Sequence, residues 1–195
     1  MITIERGSSL PKRFLLFPGD RTIQNPRSMS EEIFDVVNDR DEVIGSERRS
    51  EVHRLGLQHR AVHVLVFNTR GQIFLQKRSM KKDRQPGVWD SSASGHLDRG
   101  EDYDACAIRE VHEELGLRLA GPPKRLFKLP ASMETDQEHV WVYRAHAEGP
   151  FHLHPDEIDG GEWFDPDHVS RWTSTNPNDF AGAFVVIWKR LQSES

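Results

Sequence analysis

Three glutamates are spaced so that they could act together as metal ligands. Glu110, Glu113 and Glu114 stand at positions i, i+3 and i+4, which places them on one face of a helix. Three carboxylates this close repel one another, and the adjacent Arg109 offsets only part of that repulsion. Carboxylates are hard ligands suited to Mg²⁺ or Mn²⁺, and bound Mg²⁺ commonly bridges to substrate phosphates. The alternative is a solvated helix face whose glutamates pair with Lys or Arg.

A helix over residues 101–115 would carry these glutamates. Gly116 follows it, as expected of a glycine that ends a helix. Gly95 and Gly100 bracket the loop that leads into the helix, and glycine permits a tight path and a close backbone approach. The apolar stripe expected to dock the helix consists of Ala105, Ile108, Val111 and Leu115.

The rest of the chain alternates between strand-like and helix-like patterns. An apolar strand and its return strand, joined by the turn at 68–71, predict a hairpin. Mixed strands with helices between and after them indicate an α/β or α+β fold. Predicted strands are 33–37, 43–45, 61–67, 73–78, 123–129, 139–147 and 162–164, and predicted helices are 47–55, one starting near Pro166, and 178–191.

Composition narrows the class of protein. The 195 residues suffice for one domain with an appended arm, and 10 Phe and 5 Trp allow a real core. A net charge of −5 gives no reason to expect nucleic-acid binding. The single cysteine, Cys106, excludes an internal disulfide and a cysteine-based zinc cluster, and is expected to pack in the helix. The sequence has no apolar run long enough for a membrane span or a signal peptide, so we expect a cytoplasmic protein.

The first 28 residues differ from the remainder. They carry five basic and two acidic side chains and three prolines, without a clear period. We predict that residues 1–28 form an N-terminal arm, partly ordered at best, and that residues 29–195 form the domain. The alternative is a strand or clasp that packs the apolar stretch 14–17 on the core.

The spacing around the glutamates matches a longer motif. From Gly95 through Glu101, Arg109 and the glutamates to Gly116 and Leu117, the chain follows G-x5-E-x7-R-E-U-x-E-E-x-G-U, where U is a bulky aliphatic residue. The chain therefore resembles the Nudix hydrolase superfamily, over roughly residues 33–190. The resemblance implies an α/β/α sandwich with a mixed sheet, and Mg²⁺- or Mn²⁺-dependent hydrolysis of a nucleoside diphosphate linked to another moiety.

The resemblance also implies roles for individual residues. Arg109 resembles the residue that orients a metal-binding glutamate, and Glu101 resembles the structural acid that supports that arginine. Glu110 is our choice for the general base, a role that varies in the superfamily. The implied metal ligands are Glu110, Glu113, Glu114 and the carbonyl oxygen of Gly95.

A second resemblance involves histidines. The segments His59-Arg60-Ala61, Pro86-Gly87-Val88-Trp89 and Ser94-Gly95-His96 resemble type 1 isopentenyl-diphosphate isomerase, a Nudix-fold relative. His59 and His96 match its histidine ligands, and Glu138 falls in a segment that resembles its acidic pair. Imidazole with carboxylate suits Mn²⁺ or Zn²⁺. His53 is a loose third candidate, expected instead to be a surface helix residue, and His63 is expected in the core.

Two departures favour hydrolysis over isomerisation. Ser94 stands where the isomerases have a catalytic cysteine, and a serine hydroxyl is much less acidic than a thiol. The chain also keeps the complete R-E-U-x-E-E helix, which the isomerases let degrade. Isomerase activity and a non-catalytic nucleotide-binding module are kept as alternatives.

A basic run precedes the motif and consists of Lys77, Arg78, Lys81, Lys82 and Arg84. It is either a solvated loop or a clamp for a diphosphate, with Arg78 and Lys82 as the favoured phosphate-binding residues. The expected partner is a small-molecule diphosphate, with no nucleic acid and no membrane. A homodimer is common in the family, although no sequence feature requires one.

Overall fold

The structure is a computed structural model that describes residues 31–194. The predicted arm, residues 1–28, lies outside the described residues. In chain order the elements are β1 (Ile33–Val37), β2 (Val43–Arg48), α1 (Arg49–Leu55), β3 (His59–Phe67), β4 (Ile73–Arg78), β5 (Trp89–Asp90), β6 (Ala93–His96), α2 (Tyr103–Leu115), β7 (Lys124–Leu129), β8 (Glu138–His146), β9 (Ile158–Phe164), α3 (Pro166–Thr175) and α4 (Gly182–Ser193).

A seven-stranded mixed sheet is the centre of the described part of the chain. Its middle strand, β3, pairs in parallel with β8 and antiparallel with β4 and β6. β7 pairs with the other edge of β8, while β5 and β9 both pair with β4. β1 and β2 form a separate antiparallel pair. The hairpin of β3 and β4 and the mixed sheet confirm the predictions.

Helices cover both faces of this sheet. Successive side chains of β3 point to opposite faces. Val62, Val64 and Val66 pack in the cluster that contains the apolar residues of α2. Leu65 and Phe67 pack in a second cluster, with residues of α3 and α4. The result is the predicted α/β/α sandwich, and it anchors α2 firmly on one side of β3.

The face that α2 buries differs from the predicted apolar stripe. Ala105 is exposed and Ile108 is only half-buried, whereas Cys106, Ala107 and Val111 are fully buried. The prediction for Ala105 was wrong because it assumed that every charged residue of the helix would face away from the core. The helix is instead rotated so that two of its glutamates enter the protein. Cys106 is the packing residue expected.

Both ends of α2 have regular caps. The Asp102 side chain accepts hydrogen bonds from the backbone N–H groups of Asp104 (2.9 Å) and Ala105 (3.0 Å). Gly116 ends the helix with φ of 66°, a left-handed conformation that favours glycine, and its N–H donates to the carbonyl of His112. These caps fix the length of the helix that carries the glutamates.

Several predicted element boundaries were wrong. β9 begins at Ile158, four residues before the predicted strand, because Gly160 and Gly161 pair with β4 although glycine disfavours strands. α4 begins at Gly182, after a short 3-10 turn at Pro177–Asp179. Among the helices of residues 31–194, none has the length and apolar character needed to span a membrane.

Candidate active site

Helix α2 and strand β6 lie so close that side chains of the helix contact the strand backbone. The backbone N–H of Ser94 donates to Glu114 Oε2 (2.9 Å), and Gln76 Nε2 donates to the same oxygen (3.0 Å). A Cβ atom at position 95 would lie 2.0 Å from Glu110 Oε1. Only glycine therefore leaves room for the Glu110 carboxylate.

Arg109 is the centre of the hydrogen bonds that hold the glutamates. Its Nε and Nη2 donate to the two carboxylate oxygens of Glu101, at 2.9 and 2.7 Å. Its Nη1 donates to Glu110 Oε1 (2.6 Å) and to Glu113 Oε2 (3.3 Å). Burial opposes ionisation of Glu101, but the hydrogen bonds from Arg109 and the Asp98 amide lower its pKa overall. The paired carboxylate of Glu101 thus fixes Arg109 beside Glu110.

Two of the three glutamates are buried. Burial raises the pKa of Glu110 to about 7, against the lowering effects of Arg109 and Lys82. Burial and the nearby Glu110 raise the pKa of Glu114 well above its ordinary value. Glu113 is exposed. We call these three residues the glutamate cluster. A divalent cation would relieve the repulsion between the two buried carboxylates, so the donor set fits Mg²⁺ or Mn²⁺.

Three histidine rings meet beneath β1. Candidate ligand atoms of His53, His59 and His96 all lie within 4.8 Å of one another. His96 Nε2 lies 2.9 Å from Glu138 Oε1, and His59 Nε2 lies 3.8 Å from the same oxygen. We call these four residues the histidine cluster. The parallel register of β3 and β8 creates it, because His59 pairs directly with Glu138.

The protonation of His59 follows from its contacts. Its Nδ1 lies 2.9 Å from the Leu57 carbonyl, which can only accept, so Nδ1 carries the hydrogen and Nε2 presents a lone pair. That Nε2 atom and both ring nitrogens of His53 are buried without a hydrogen-bond partner. His53 Nδ1 is 3.5 Å from Asp136 Oδ2. Burying a ring nitrogen without a hydrogen-bond partner costs free energy, and a cation bound to the lone pairs of His59 Nε2 and of one His53 nitrogen would offset that cost.

The charge state of the cluster also suits metal binding. Burial lowers the pKa of His53 and His59 to about 4, and that of His96 to about 3. Neutral rings are the form that ligates metals. Burial raises the pKa of Glu138 to about 7, against the lowering effect of His59 and His63. The set of three imidazoles and one carboxylate fits Mn²⁺ or Zn²⁺.

Phe34 covers the histidine rings. Its ring stacks on His59 and His96, with centroid distances of 5.7 and 4.7 Å, and meets His53 edge-on at 6.3 Å. Only 2% of Phe34 is exposed. The ring of Phe34 therefore shields the histidine cluster from water on the side of β1.

Strand β6 joins the two clusters. Its backbone faces the glutamates, where the Ser94 N–H donates to Glu114 and the absence of a side chain at Gly95 leaves room for Glu110. The carbonyl of His96 accepts a hydrogen bond from Arg109 Nη2 (3.0 Å). The ring of His96 belongs to the histidine cluster. One short strand thus contributes to both candidate cation sites.

The predicted phosphate-binding residues lie in different surroundings. Lys82 pairs with Glu157, and its charge acts on Glu110 and Glu114. Arg78 donates hydrogen bonds to Asp90 and to two carbonyls of the loop that follows it. The charge of Lys82 therefore acts on the buried glutamates, whereas the guanidinium of Arg78 is held by Asp90 and two loop carbonyls, and both charges act on His96.

The other histidine predictions had different outcomes. The expectation that His53 is a surface residue was wrong, because its side chain is only 7% exposed and lies against His59 and His96. His63 is buried, with Nδ1 2.8 Å from Ser91 Oγ, as expected for a core histidine. Sequence reasoning missed Phe34 and Gln76, since an apolar and an amide residue on distant strands give no signal of a site.

The comparisons with known proteins agree with this architecture. Residues 57–181 match the model of the NUDIX domain family. The chain is 32% identical to the uncharacterized Nudix hydrolase YfcD of Shigella flexneri over 172 residues, which cover 86% of this chain and 93% of that protein. It is 31% identical to isopentenyl-diphosphate Delta-isomerase of Serratia proteamaculans over 164 residues, covering 83% and 92%.

A solved structure shows a similar fold. The crystal structure of DR0079 from Deinococcus radiodurans superposes with a TM-score of 0.72 at 29% identity. The match covers 82% of this chain and 98% of DR0079. The similarity therefore extends over nearly the whole of that protein and well beyond the motif around α2.

Proposed function

Because this chain belongs to the NUDIX domain family, we propose that it is a divalent-metal-dependent hydrolase of a diphosphate linkage in a nucleoside diphosphate derivative or a related organic diphosphate. The observation that carries the proposal is the pair of buried carboxylates, Glu110 and Glu114, with Arg109 bonded to the first and the Ser94 amide bonded to the second. A purely structural helix would have no use for two buried carboxylates that repel each other.

Each residue of the glutamate cluster has a proposed role. Glu110, Glu113, Glu114 and the carbonyl of Gly95 would hold Mg²⁺ or Mn²⁺ beside the diphosphate. When bound, such a cation supplies Lewis-acid activation of the phosphoryl group and of water. Arg109 orients Glu110 through its Nη1 hydrogen bond of 2.6 Å. Glu101 holds Arg109 in position, and Gly116 ends the helix.

The reaction is a displacement at phosphorus. The oxygen of a water molecule attacks, the bond from phosphorus to the leaving oxygen breaks, and Glu110 accepts the proton of the water. Lys82 offers a positive charge to the diphosphate from the loop before β5. The histidine cluster would hold a second cation of the transition type, with His53, His59, His96 and Glu138 as ligands.

A second candidate function is isomerisation of isopentenyl diphosphate. The geometry of His59, His96 and Glu138 and the relatives named isopentenyl-diphosphate Delta-isomerase favour it. Ser94, at the position where the resemblance implies a catalytic cysteine, argues against it, because a hydroxyl is a much weaker acid than a thiol. The complete set of helix glutamates also favours the hydrolase.

A product assay tests the two candidates together. The full chain is incubated with Mg²⁺ and, separately, Mn²⁺ against a panel of diphosphate compounds that includes nucleoside diphosphate derivatives and isopentenyl diphosphate. We expect release of phosphate or of a nucleotide from at least one compound. The matched variants are Glu114→Gln, which removes a buried carboxylate, and Glu148→Gln, which changes an exposed one.

The outcomes separate the candidates. Release that disappears in Glu114→Gln and persists in Glu148→Gln supports the hydrolase and names its substrate class. Formation of the dimethylallyl isomer without phosphate loss would make the histidine cluster the reacting centre. Binding of a nucleotide without any turnover would instead indicate a non-catalytic module.

A further inference from the structure

The loop between β4 and β5, residues 79–88, carries most of the basic run, and we call it the basic loop. Its base is closed by two backbone hydrogen bonds, from Arg78 N–H to the Val88 carbonyl (2.9 Å) and from Gly87 N–H to the Arg78 carbonyl (3.1 Å). Ion pairs then join it to three neighbouring segments of the fold. These pairs are Arg49–Asp83, Lys81–Asp156, Lys82–Glu157 and Arg84–Asp136.

Arg78 reaches into the base of this loop. Its Nε donates to the Gln85 carbonyl and its Nη2 to the Arg84 carbonyl, both at 3.1 Å. Its Nη1 donates to Asp90 Oδ2, also at 3.1 Å. Asp90 is buried, with a side chain only 3% exposed, and its other oxygen accepts from the Ser91 N–H (2.7 Å). The planar fork of an arginine suits this bridging of two carbonyls and a carboxylate.

We propose that Arg78 and Asp90 are positioning residues, which hold the basic loop so that Lys82 meets the diphosphate of the substrate. This inference rests on the proposed function. Three groups of the protein accept hydrogen bonds from the guanidinium of Arg78, whereas Lys82 pairs with one carboxylate, Glu157, and its charge also acts on the buried glutamates. Asp90 is a buried acidic residue and cannot itself attract an anion, so it contributes to anion binding only by holding Arg78.

The direction in which Asp90→Asn changes anion affinity distinguishes the two roles that Asp90 could have. If Arg78 and Asp90 acted on the anion only through their charges, Asp90→Asn would remove a negative charge and tighten anion binding. If Asp90 acts through the loop, the same substitution loosens Arg78 and weakens anion binding. The two roles therefore predict opposite changes for one isosteric substitution.

The experiment measures binding of inorganic pyrophosphate to the full chain by calorimetry in the presence of Mg²⁺. We expect Asp90→Asn and Arg78→Ala each to weaken binding about five- to tenfold, and Lys82→Ala to weaken it by about tenfold or more. The matched control is Lys81→Ala, which removes an equal charge from an exposed lysine of the same loop and should change affinity less than about twofold.

A double-mutant cycle separates positioning from direct contact. Because Arg78 is proposed to act through Lys82, adding Arg78→Ala to the Lys82→Ala variant should weaken pyrophosphate binding by less than about a further twofold. Hydrogen exchange supplies a readout without a ligand: amides of the basic loop should exchange faster in Asp90→Asn, while those of β3 should not. Arg78→Ala replaces Asp90→Asn in both measurements if the latter does not fold.

Three results would overturn the inference. The first is tighter pyrophosphate binding by Asp90→Asn. The second is a double variant whose loss of affinity equals the product of the losses caused by Arg78→Ala and Lys82→Ala alone. The third is the absence of pyrophosphate binding by the unchanged chain. The proposed hydrolase function fails separately, through a product assay that detects no Glu114-dependent release.

Discussion

The glutamate cluster and the histidine cluster share strand β6, yet their donor groups and charge states differ. The glutamate cluster holds two buried carboxylates with raised pKa values, and Arg109 offsets part of their repulsion. The histidine cluster holds neutral rings with unpartnered nitrogen atoms beneath Phe34. Oxygen ligands suit Mg²⁺ or Mn²⁺, whereas a set dominated by imidazoles favours a transition metal such as Zn²⁺. The two clusters on either side of one short strand thus present different sets of candidate ligands.

The largest expected effect is on the glutamate side. Glu114→Gln should lower turnover by at least about a hundredfold, because the amide cannot replace a carboxylate ligand. The domain should stay folded, since glutamine has the same shape and still accepts from the Ser94 N–H. Turnover and thermal melting of the variant, beside Glu148→Gln, check this. Near-normal turnover in Glu114→Gln would remove the glutamate cluster from the proposed chemistry.

The next prediction concerns the strand that the clusters share. Gly95→Ala would place a methyl group 2.0 Å from Glu110 Oε1, so the carboxylate must move. We expect turnover to fall by about tenfold or more and the free energy of unfolding to fall by about 1–3 kcal/mol. Gly45→Ala is the control, because no atom lies within 4 Å of a Cβ built at Gly45. Equal effects of the two substitutions would contradict the close contact described for Glu110.

The histidine cluster is expected to bind Zn²⁺, and the third prediction tests this binding. His53→Gln should weaken Zn²⁺ binding by about tenfold or more, because it removes one of three converging imidazoles. Calorimetric titration with Zn²⁺ measures this. Glu114→Gln should leave Zn²⁺ binding unchanged, and loss of Zn²⁺ binding in that variant would mean that the two clusters are not distinct sites.

The smallest effect is expected at Cys106, whose thiol makes a long contact of 3.4 Å with Arg109 Nη2. The Cys106 thiol is buried and lies 3.4 Å from the His96 carbonyl. Cys106→Ala should change turnover less than about twofold and lower stability by about 1 kcal/mol. Assays of turnover and chemical denaturation check both values. A large loss of turnover would assign the thiol a role in the site.

Local patterns were the part of this molecule that sequence could predict. The motif from Gly95 to Leu117 predicted α2, its end at Gly116 and the family. The hairpin at 68–71 followed from turn residues between apolar strands. These features depend on contacts between residues close in the chain, so periodicity and capping are sufficient.

Features that depend on packing between distant segments escaped prediction. Burial of Glu110 and Glu114 follows from how α2 rotates on the sheet, and the helical period alone placed the apolar stripe on Ala105 instead. His53 looked like a surface residue because α1 is a short, polar helix. Its burial depends on β1 and on the parallel register of His59 with Glu138, which no local pattern encodes.

The carbonyl of His96 accepts a hydrogen bond from Arg109 while its ring lies among the other imidazoles. Cations bound at the two clusters would therefore be coupled through a single residue. Thermodynamic linkage makes this coupling reciprocal. If occupation of one site changes the affinity of the other by some factor, occupation of the second changes the affinity of the first by the same factor. The order in which two cations are added would not alter the final state. The affinity measured at one site would, however, depend on whether the other site is occupied.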